Sequence, residues 1–221
     1  GTIDVGYKPA IEYYGYFDSY KCYSYSNGTF TPEAMSDVTG TVYNKKCTGT
    51  GRGSWWSGDF LNYVTTSRMD ALRKVLYGGY RSTDSTSQTI LERSFIPQDA
   101  HSWGKEYTSV ARDGYDISDY TPLSLPATGK RHLFANVTLT GYGQPPLMRV
   151  LDSSSYRIWE WVSIERPVAG TQCATGNNVR ANCATSNTTY TGSPNSAAEF
   201  QVLIDQFATS GHQTGVQSVS N

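Results

Sequence analysis

The sequence predicts an α+β fold, with one dominant amphipathic helix (about 57–77) among β-rich, Tyr-rich insertions and long, disulfide-stapled loops. One long segment has helical periodicity, and the segments around it alternate polar residues with aromatic or β-branched ones. The chain has 221 residues, of which 17 are Tyr and 21 are Gly, while only 17% are charged. This composition favours strands and ordered loops over solvated helices.

The first strands are predicted within residues 11–32, where polar and aromatic positions alternate around an Asn27-Gly28 pair. Asn-Gly between two such runs is a β-hairpin signal, because both residues tolerate the positive φ angles of a tight turn. Residues 33–54 have little periodicity and predict a loop with one short strand near Val42 and Tyr43.

The helix has recognisable signals at both ends. Ser57 or Asp59 can accept hydrogen bonds from the free N–H groups of the first turn, and Gly78-Gly79 can supply the left-handed residue that ends a helix. Its apolar residues recur mostly at three- and four-residue steps, so they share one face, which we expect to pack on a core. These residues are Phe60, Leu61, Val64, Met69, Leu72, Val75 and Leu76.

The second half of the chain predicts further strands and one more helix. Residues 81–88 are polar and expected to be exposed, and 94–107 are expected to be irregular. A strand is predicted at 132–143, and a hairpin at 148–162 with its turn at 152–155. Phe200, Leu203, Ile204 and Phe207 have helical spacing. We therefore predict a module at 1–166 and a loop-rich segment at 167–221 with a short helix near 197–208.

The four cysteines, Cys22, Cys47, Cys173 and Cys183, predict two disulfides and an oxidising compartment. Three pairings are possible, and proximity in sequence favours Cys22 with Cys47 and Cys173 with Cys183. Zinc is disfavoured, because the cysteines lack the close paired spacing of zinc sites and the histidines are distant from them.

Charge and hydropathy argue against two classes of partner. The net charge is −1, so the chain has no general attraction for nucleic acid or anionic membranes. No apolar run approaches the roughly 20 residues that span a bilayer, so no membrane span is expected. No signal peptide is visible at the start of the sequence, so we expect the chain to be a mature or trimmed product.

We predict no catalytic, cofactor-binding or metal-binding residues. Asp99, His101 and Ser102 have the residue types of a nucleophile and its base, but neighbours in sequence seldom have the required geometry. Glu160 and Glu165 could form a glycosidase pair in principle.

Two weaker possibilities involve acidic and aromatic residues. Asp113, Asp116 and Asp119 could bind calcium, although their spacing is not that of an EF-hand loop and solvated turns are commoner. Exposed tryptophans could stack on sugar rings, whereas buried ones would supply core packing. The tryptophans are Trp55, Trp56, Trp103, Trp159 and Trp161.

Four segments resemble the N-terminal region of the PilC/PilY family of type IV pilus tip proteins, in the family's order. The main one is SGDFLNYVTTSRMDALRKVLYGG at 57–79. The others are YYGYFDSYKCYSYSNGTFTPE at 13–33, TILERSFIPQDAHSWGKEY at 89–107 and PPLMRVLDSSSYRIWEW at 145–161.

The resemblance implies a fragment around the first helix of a von Willebrand factor A-like domain, without that domain's DxSxS metal motif or the family's C-terminal propeller. The chain would be a fragment, a processed product or a shortened relative, and other segments would complete the domain.

The function implied is that of a non-enzymatic extracellular module of a type IV pilus tip-associated adhesin or pilus biogenesis factor, exported via the periplasm to the cell surface. Its partners would be the remainder of the same adhesin or a separate chain carrying it, the minor pilins of the type IV pilus, and a host or abiotic surface. The alternatives are a secreted carbohydrate-binding or glycan-processing domain, and a self-assembling filament subunit.

Overall fold

The computed structural model describes residues 6–97, 101–136, 138, 143, 145–155 and 197–206. Three α-helices lie in this part of the chain: α1 Gly58–Thr65, α2 Arg68–Tyr77 and α3 Val110–Asp113. Its strands are β1 Lys21–Ser26, β2 Thr29–Met35, β3 Val38–Thr39, β4 Val42–Tyr43, β5 Trp56–Ser57, β6 Arg81–Asp84, β7 Thr89–Glu92, β8 Trp103–Tyr107, β9 Arg131–Asn136, β10 Leu147–Ser154, β11 Ala198–Gln201 and β12 Leu203–Asp205.

The chain divides into two compact units, and neither is continuous in sequence. The first unit comprises Gly1–Ser94, Gly114–Leu125 and Gln201–Asn221, and the second comprises Phe95–Asp113 and Pro126–Phe200. Strand pairing in the first unit joins segments that are distant in sequence, and the predicted division at 166 stays a prediction.

The first unit contains a sheet with the strand order β5-β1-β2-β12-β7-β6. The predicted hairpin is confirmed: β1 and β2 pair antiparallel, and Asn27 and Gly28 between them have φ angles of 49° and 80°. The strand predicted near Val42 is β4, which pairs with β3. β6 and β7 form another antiparallel hairpin.

The prediction of a short helix near 197–208 is wrong over the residues that the structure describes. β12 lies between β2 and β7 in the sheet, and its central residue, Ile204, is fully buried. The helical spacing of the apolar residues does not decide the structure here. Pairing with two strands gives hydrogen-bond partners to backbone groups on both edges of this short segment.

The dominant helix predicted at about 57–77 is two helices separated at Thr66 and Ser67. Ser57 caps α1 by accepting a hydrogen bond from the Phe60 N–H, and Gly78 ends α2 with a φ of 83°. Both outer ends therefore match the prediction. The break arises at Ser67, because it caps α2 through a reciprocal capping box with Asp70.

Aromatic rings fill much of the first unit's interior. The ring of Tyr7 is fully buried, and five other ring centroids lie between 5.1 Å and 5.6 Å from its own. They belong to Tyr13, Phe60, Tyr63, Tyr115 and Tyr120. The contacts with Phe60, Tyr115 and Tyr120 are edge-on, an arrangement that aromatic rings favour.

The second unit is built on a sheet with the order β11-β10-β9-β8. The turn predicted at 152–155 is wrong, since β10 continues through Ser154, which pairs with Arg131 of β9. A register shift after Leu151, with Ser153 at a φ of 44°, absorbs the irregular residues within the strand. Residues 94–107 were expected to be irregular, but β8 occupies the last five of them.

None of the helices that the structure describes is long and apolar enough to cross a membrane. β2 pairs parallel with β12, whereas the pairs β1–β2, β1–β5, β3–β4, β6–β7, β7–β12, β8–β9 and β9–β10 are antiparallel. Completion of a von Willebrand factor A-like domain by other segments stays a prediction.

Candidate interaction surface

Helix α2 presents its apolar side to solvent. Leu72 is 52% exposed, Val75 73% and Leu76 68%, whereas the corresponding residues of α1, Phe60, Leu61 and Val64, are buried. The expectation that one apolar face runs buried along 57–77 is therefore correct for α1 and wrong for α2. We call the exposed side chains along this side of the helix the α2 apolar face: Met69, Leu72, Val75 and Leu76.

The opposite side of α2 is anchored by polar contacts. Asp70 is 2% exposed, and one carboxylate oxygen accepts hydrogen bonds from the N–H (3.1 Å) and hydroxyl (2.6 Å) of Ser67. The other oxygen accepts the Ser94 N–H at 2.8 Å. Burial lowers the pKa of Arg93 to about 10, and the nearby Asp70 charge opposes that shift. This carboxylate fixes the rotation of α2, which turns the apolar residues outward.

A second anchor lies near the C-terminal end of α2. The Lys74 ammonium donates to the Gly15 carbonyl and lies 4.5 Å from the Tyr14 ring centroid. Burial lowers the pKa of Lys74. Arg73 lies over the Tyr80 ring at 5.8 Å. Lys74 is therefore an internal anchor, and Arg73 borders the α2 apolar face.

Helix α1 is tied to the N-terminal segment through a buried carboxylate, Asp59. It accepts hydrogen bonds from the Tyr7 hydroxyl and the Tyr13 N–H, both at 2.8 Å, and lies 3.4 Å from the Lys45 ammonium. Burial raises the pKa of Asp59, while these partners oppose the rise. With all these contacts inside the unit, the group has a packing role rather than that of an open site.

The buried tyrosines give the first unit a predicted sensitivity to alkali. Burial raises the pKa of Tyr7, Tyr16 and Tyr23 above the ordinary value of 10, and that of Tyr120 to about 12. Since ionisation is easier in the unfolded chain, their stabilising contribution is complete below pH 10 and is lost as the pH rises above it. Absorbance at 295 nm should therefore show a late group of tyrosines ionising together with loss of the circular dichroism signal.

Conservative variants test the cause of this transition. Tyr120→Phe should weaken the pH dependence of unfolding between pH 10 and 12, whereas Tyr43→Phe, at an exposed position, should not. Ionisation of all tyrosines in one step near pH 10, with the native circular dichroism retained, would contradict this prediction.

Cys22 and Cys47 form a disulfide with a Cα–Cα distance of 5.8 Å. It links β1 to the segment that precedes β5, and both cysteines are buried. This is the pairing that sequence proximity favours. Cys173 and Cys183 lie outside the described residues, so their pairing stays a prediction.

The acidic residues considered for calcium each have local partners. Asp113 accepts backbone N–H groups at the start of α3, Asp116 caps the 3₁₀ helix Ile117–Asp119, and Asp119 pairs with Lys46 at 2.6 Å. Across the described ranges, no group of three or more His, Cys, Asp or Glu side chains could hold a metal ion.

The other candidates for chemistry are only partly described. Asp99, Glu160 and Glu165 lie outside the described residues, while His101 and Ser102 fall within the second unit. Trp159 and Trp161 are also outside. Trp56 is buried against Phe30, and Trp55 and Trp103 are half-buried, an arrangement that favours core packing over an open sugar-stacking face.

A family model described as "PilY1 homolog, small alpha/beta domain" matches residues 4–156, more than half of the chain. The chain belongs to the PilY1 homolog family. The resemblance seen in the sequence is thereby confirmed, and the matched region contains α1, α2, the Cys22–Cys47 disulfide and the α2 apolar face.

Two PilY1-family relatives of Xylella fastidiosa strain Temecula1 are each described as "Type IV pilus biogenesis factor PilY1 homolog". One is 61% identical over 184 residues, which is 83% of this chain and 12% of the relative. The second is 39% identical over 96 residues, which is 41% of this chain and 8% of that relative. The chain thus spans a small part of these relatives. No solved structure matches it.

Sequence reasoning missed the separation of the two helices, although a signal for it was present. Ser67-Arg68-Met69-Asp70 fits the capping-box pattern, in which Ser begins a helix and an acidic residue follows three positions later. The outward orientation of α2 had no comparable signal, because the contact between Asp70 and Ser94 forms only in the folded chain.

Proposed function

We propose that the chain is a non-enzymatic module of a type IV pilus biogenesis factor that acts outside the cell as a tip-associated adhesin. The observation that carries the proposal is the 61% identity, over 83% of this chain, to a protein described as a type IV pilus biogenesis factor. Identity at this level over most of the chain supports a shared role.

The fold supports display and interaction rather than chemistry. Asp59 and Asp70 are held by internal hydrogen bonds, and Asp119 pairs with Lys46, so these carboxylates serve packing. The Cys22–Cys47 disulfide fits a protein that matures in an oxidising compartment, as export via the periplasm requires.

The partners we propose follow from this role. Minor pilins of the type IV pilus would hold the polypeptide at the pilus tip, and a host or abiotic surface would be bound on the outer side. The remaining polypeptide would supply the other domains, including the rest of a von Willebrand factor A-like domain.

The test is an in-frame deletion of the sequence encoding residues 6–206 from the full-length gene in the source bacterium. Surface pili would be counted by electron microscopy, attachment to glass would be measured per piliated cell, and antibodies to this chain would be located by immunogold labelling. We expect label at pilus ends in the parent strain, and fewer pili or weaker attachment in the deletion strain.

Normal pilus number, normal attachment and label confined to the periplasm would overturn the proposal. The control is a strain that carries Leu125→Ala, a substitution at an exposed position of the first unit. This strain should have the same pili, attachment and labelling as the parent strain.

A further inference from the structure

The α2 apolar face is a continuous surface rather than a scatter of single residues. Met69, Leu72 and Val75 follow at three-residue steps, and Leu76 lies one turn beyond Leu72, so they form a stripe along one side of the helix. Their exposed surface is on the order of 400 Å², which is comparable to the largest apolar patch of a typical monomer. Such patches commonly mark an interaction site.

We propose that the α2 apolar face docks against another segment of the same long polypeptide, one with an apolar centre and acidic flanks. This inference rests on family membership and does not depend on the pilus-tip role proposed above. The matched region makes up only 12% of the longer relative, so most of such a polypeptide lies outside the part matched here.

The charge around the face defines the chemistry of the occupant. Arg68 is exposed at the start of α2, and Arg73 is half-buried beside the stripe, whereas the Lys74 ammonium is held on the anchored side by the Gly15 carbonyl. Asp70, the acidic residue of the helix, is turned inward and held by Ser67 and Ser94. The outward rim of α2 is therefore cationic, and a matching segment carries Asp or Glu around its apolar residues.

A second copy of this chain fits the face less well. Antiparallel pairing of two α2 helices about a two-fold axis would put the middle of the helix, Leu72 and Arg73, against its own copy. The cationic rims of both copies would then come together. In addition, the patch is smaller than the roughly 800 Å² per partner of a stable interface.

A covalently linked segment does not need so large an interface. Linkage within one polypeptide raises the effective concentration of the partner to about the millimolar range, so a small apolar contact is sufficient. This is why we assign the face to an intramolecular occupant rather than to a separate protein.

The first experiment measures side-chain access in the purified full-length polypeptide, under native conditions. Leu72→Cys is compared with Leu125→Cys, since the two leucines are 52% and 48% exposed in the structure and belong to the same unit. Maleimide labelling of each cysteine is followed by mass spectrometry of the corresponding peptide. We expect Leu72→Cys to react at least about tenfold more slowly, because docking must open before the reagent can enter.

The second experiment identifies what covers the face. A photoreactive benzophenone amino acid replaces Leu72 in the full-length polypeptide, and the same replacement of Leu125 is the control. We expect the position 72 crosslink to join a peptide of the same molecule, outside these 221 residues, that has Asp or Glu near apolar residues.

Equal labelling rates for the two cysteines would overturn the proposal. So would crosslinks from position 72 only to a pilin, to a second copy, or to peptides within these 221 residues. Loss of pili in the deletion strain with equal labelling here would refute the docking inference alone, so the two proposals fail separately.

Discussion

Asn62→Ala is expected to lower the free energy of unfolding of the first unit by about 3 to 4 kcal/mol, because buried polar groups lose their partners. The Asn62 side-chain amide donates to the carbonyls of Tyr13 and Phe17, both at 2.9 Å, and its oxygen accepts the Phe17 N–H at 3.0 Å. Asn62 is 2% exposed, so water cannot easily replace these bonds.

The residue opposite Asn62 shows how closely this contact is fitted. A Cβ atom at Gly15 would lie 2.1 Å from the Asn62 side-chain oxygen and 2.2 Å from the Thr66 hydroxyl. Because Gly15 has no side chain, the Asn62 side chain can lie against the loop that precedes β1.

The measurement is urea denaturation with hydrogen exchange of the β1 and β2 amides, which reports on the first unit. Asn44→Ala is the matched control, since Asn44 also makes side-chain hydrogen bonds, to Thr39 and from Lys46, but lies in a part-exposed hairpin. It should lower stability by about 1 kcal/mol or less. An equal loss in both variants would show that burial at Asn62 is not the cause.

Removal of the Cys22–Cys47 disulfide is expected to lower the stability of the first unit by about 3.5 kcal/mol, because the unfolded chain regains the entropy of an open loop. The sequence separation of the two cysteines is 25 residues, and both are buried in the folded unit. The double variant Cys22→Ala with Cys47→Ala should therefore unfold at lower urea concentration than the native chain.

Reduction of the same variant provides the control. If dithiothreitol destabilises the native chain but leaves the first unit of the double variant unchanged, the whole effect belongs to this disulfide. If the double variant has the stability of the oxidised native chain, the entropic contribution assigned to the disulfide is wrong.

Several local features of this chain could be predicted because they depend on neighbouring residues. The Asn27-Gly28 turn, the Ser57 cap and the Gly78 end each satisfy backbone groups only a few residues away. The same holds for the capping box at Ser67, which sequence reasoning missed although its pattern is local.

The errors lie where distant contacts override a local pattern. Residues 203–205 have helical spacing but form β12, since the strands on either side of them supply backbone partners. β10 continues through Ser154 because Ser154 pairs with Arg131 of β9 beyond a register shift. Neither β2 nor β7 is close to β12 in the sequence, so no window of the sequence contains this information.

The sequence by itself determined the family, the hairpin, the outer ends of the helical region and the apolar stripe of α2. Only the tertiary structure decided which way that stripe faces. The Asp70 carboxylate must be buried where it meets Ser94, and this fixes the rotation of a helix whose two sides differ in polarity. Helical periodicity specifies that the apolar residues share a side, whereas contacts from distant residues specify whether that side is covered.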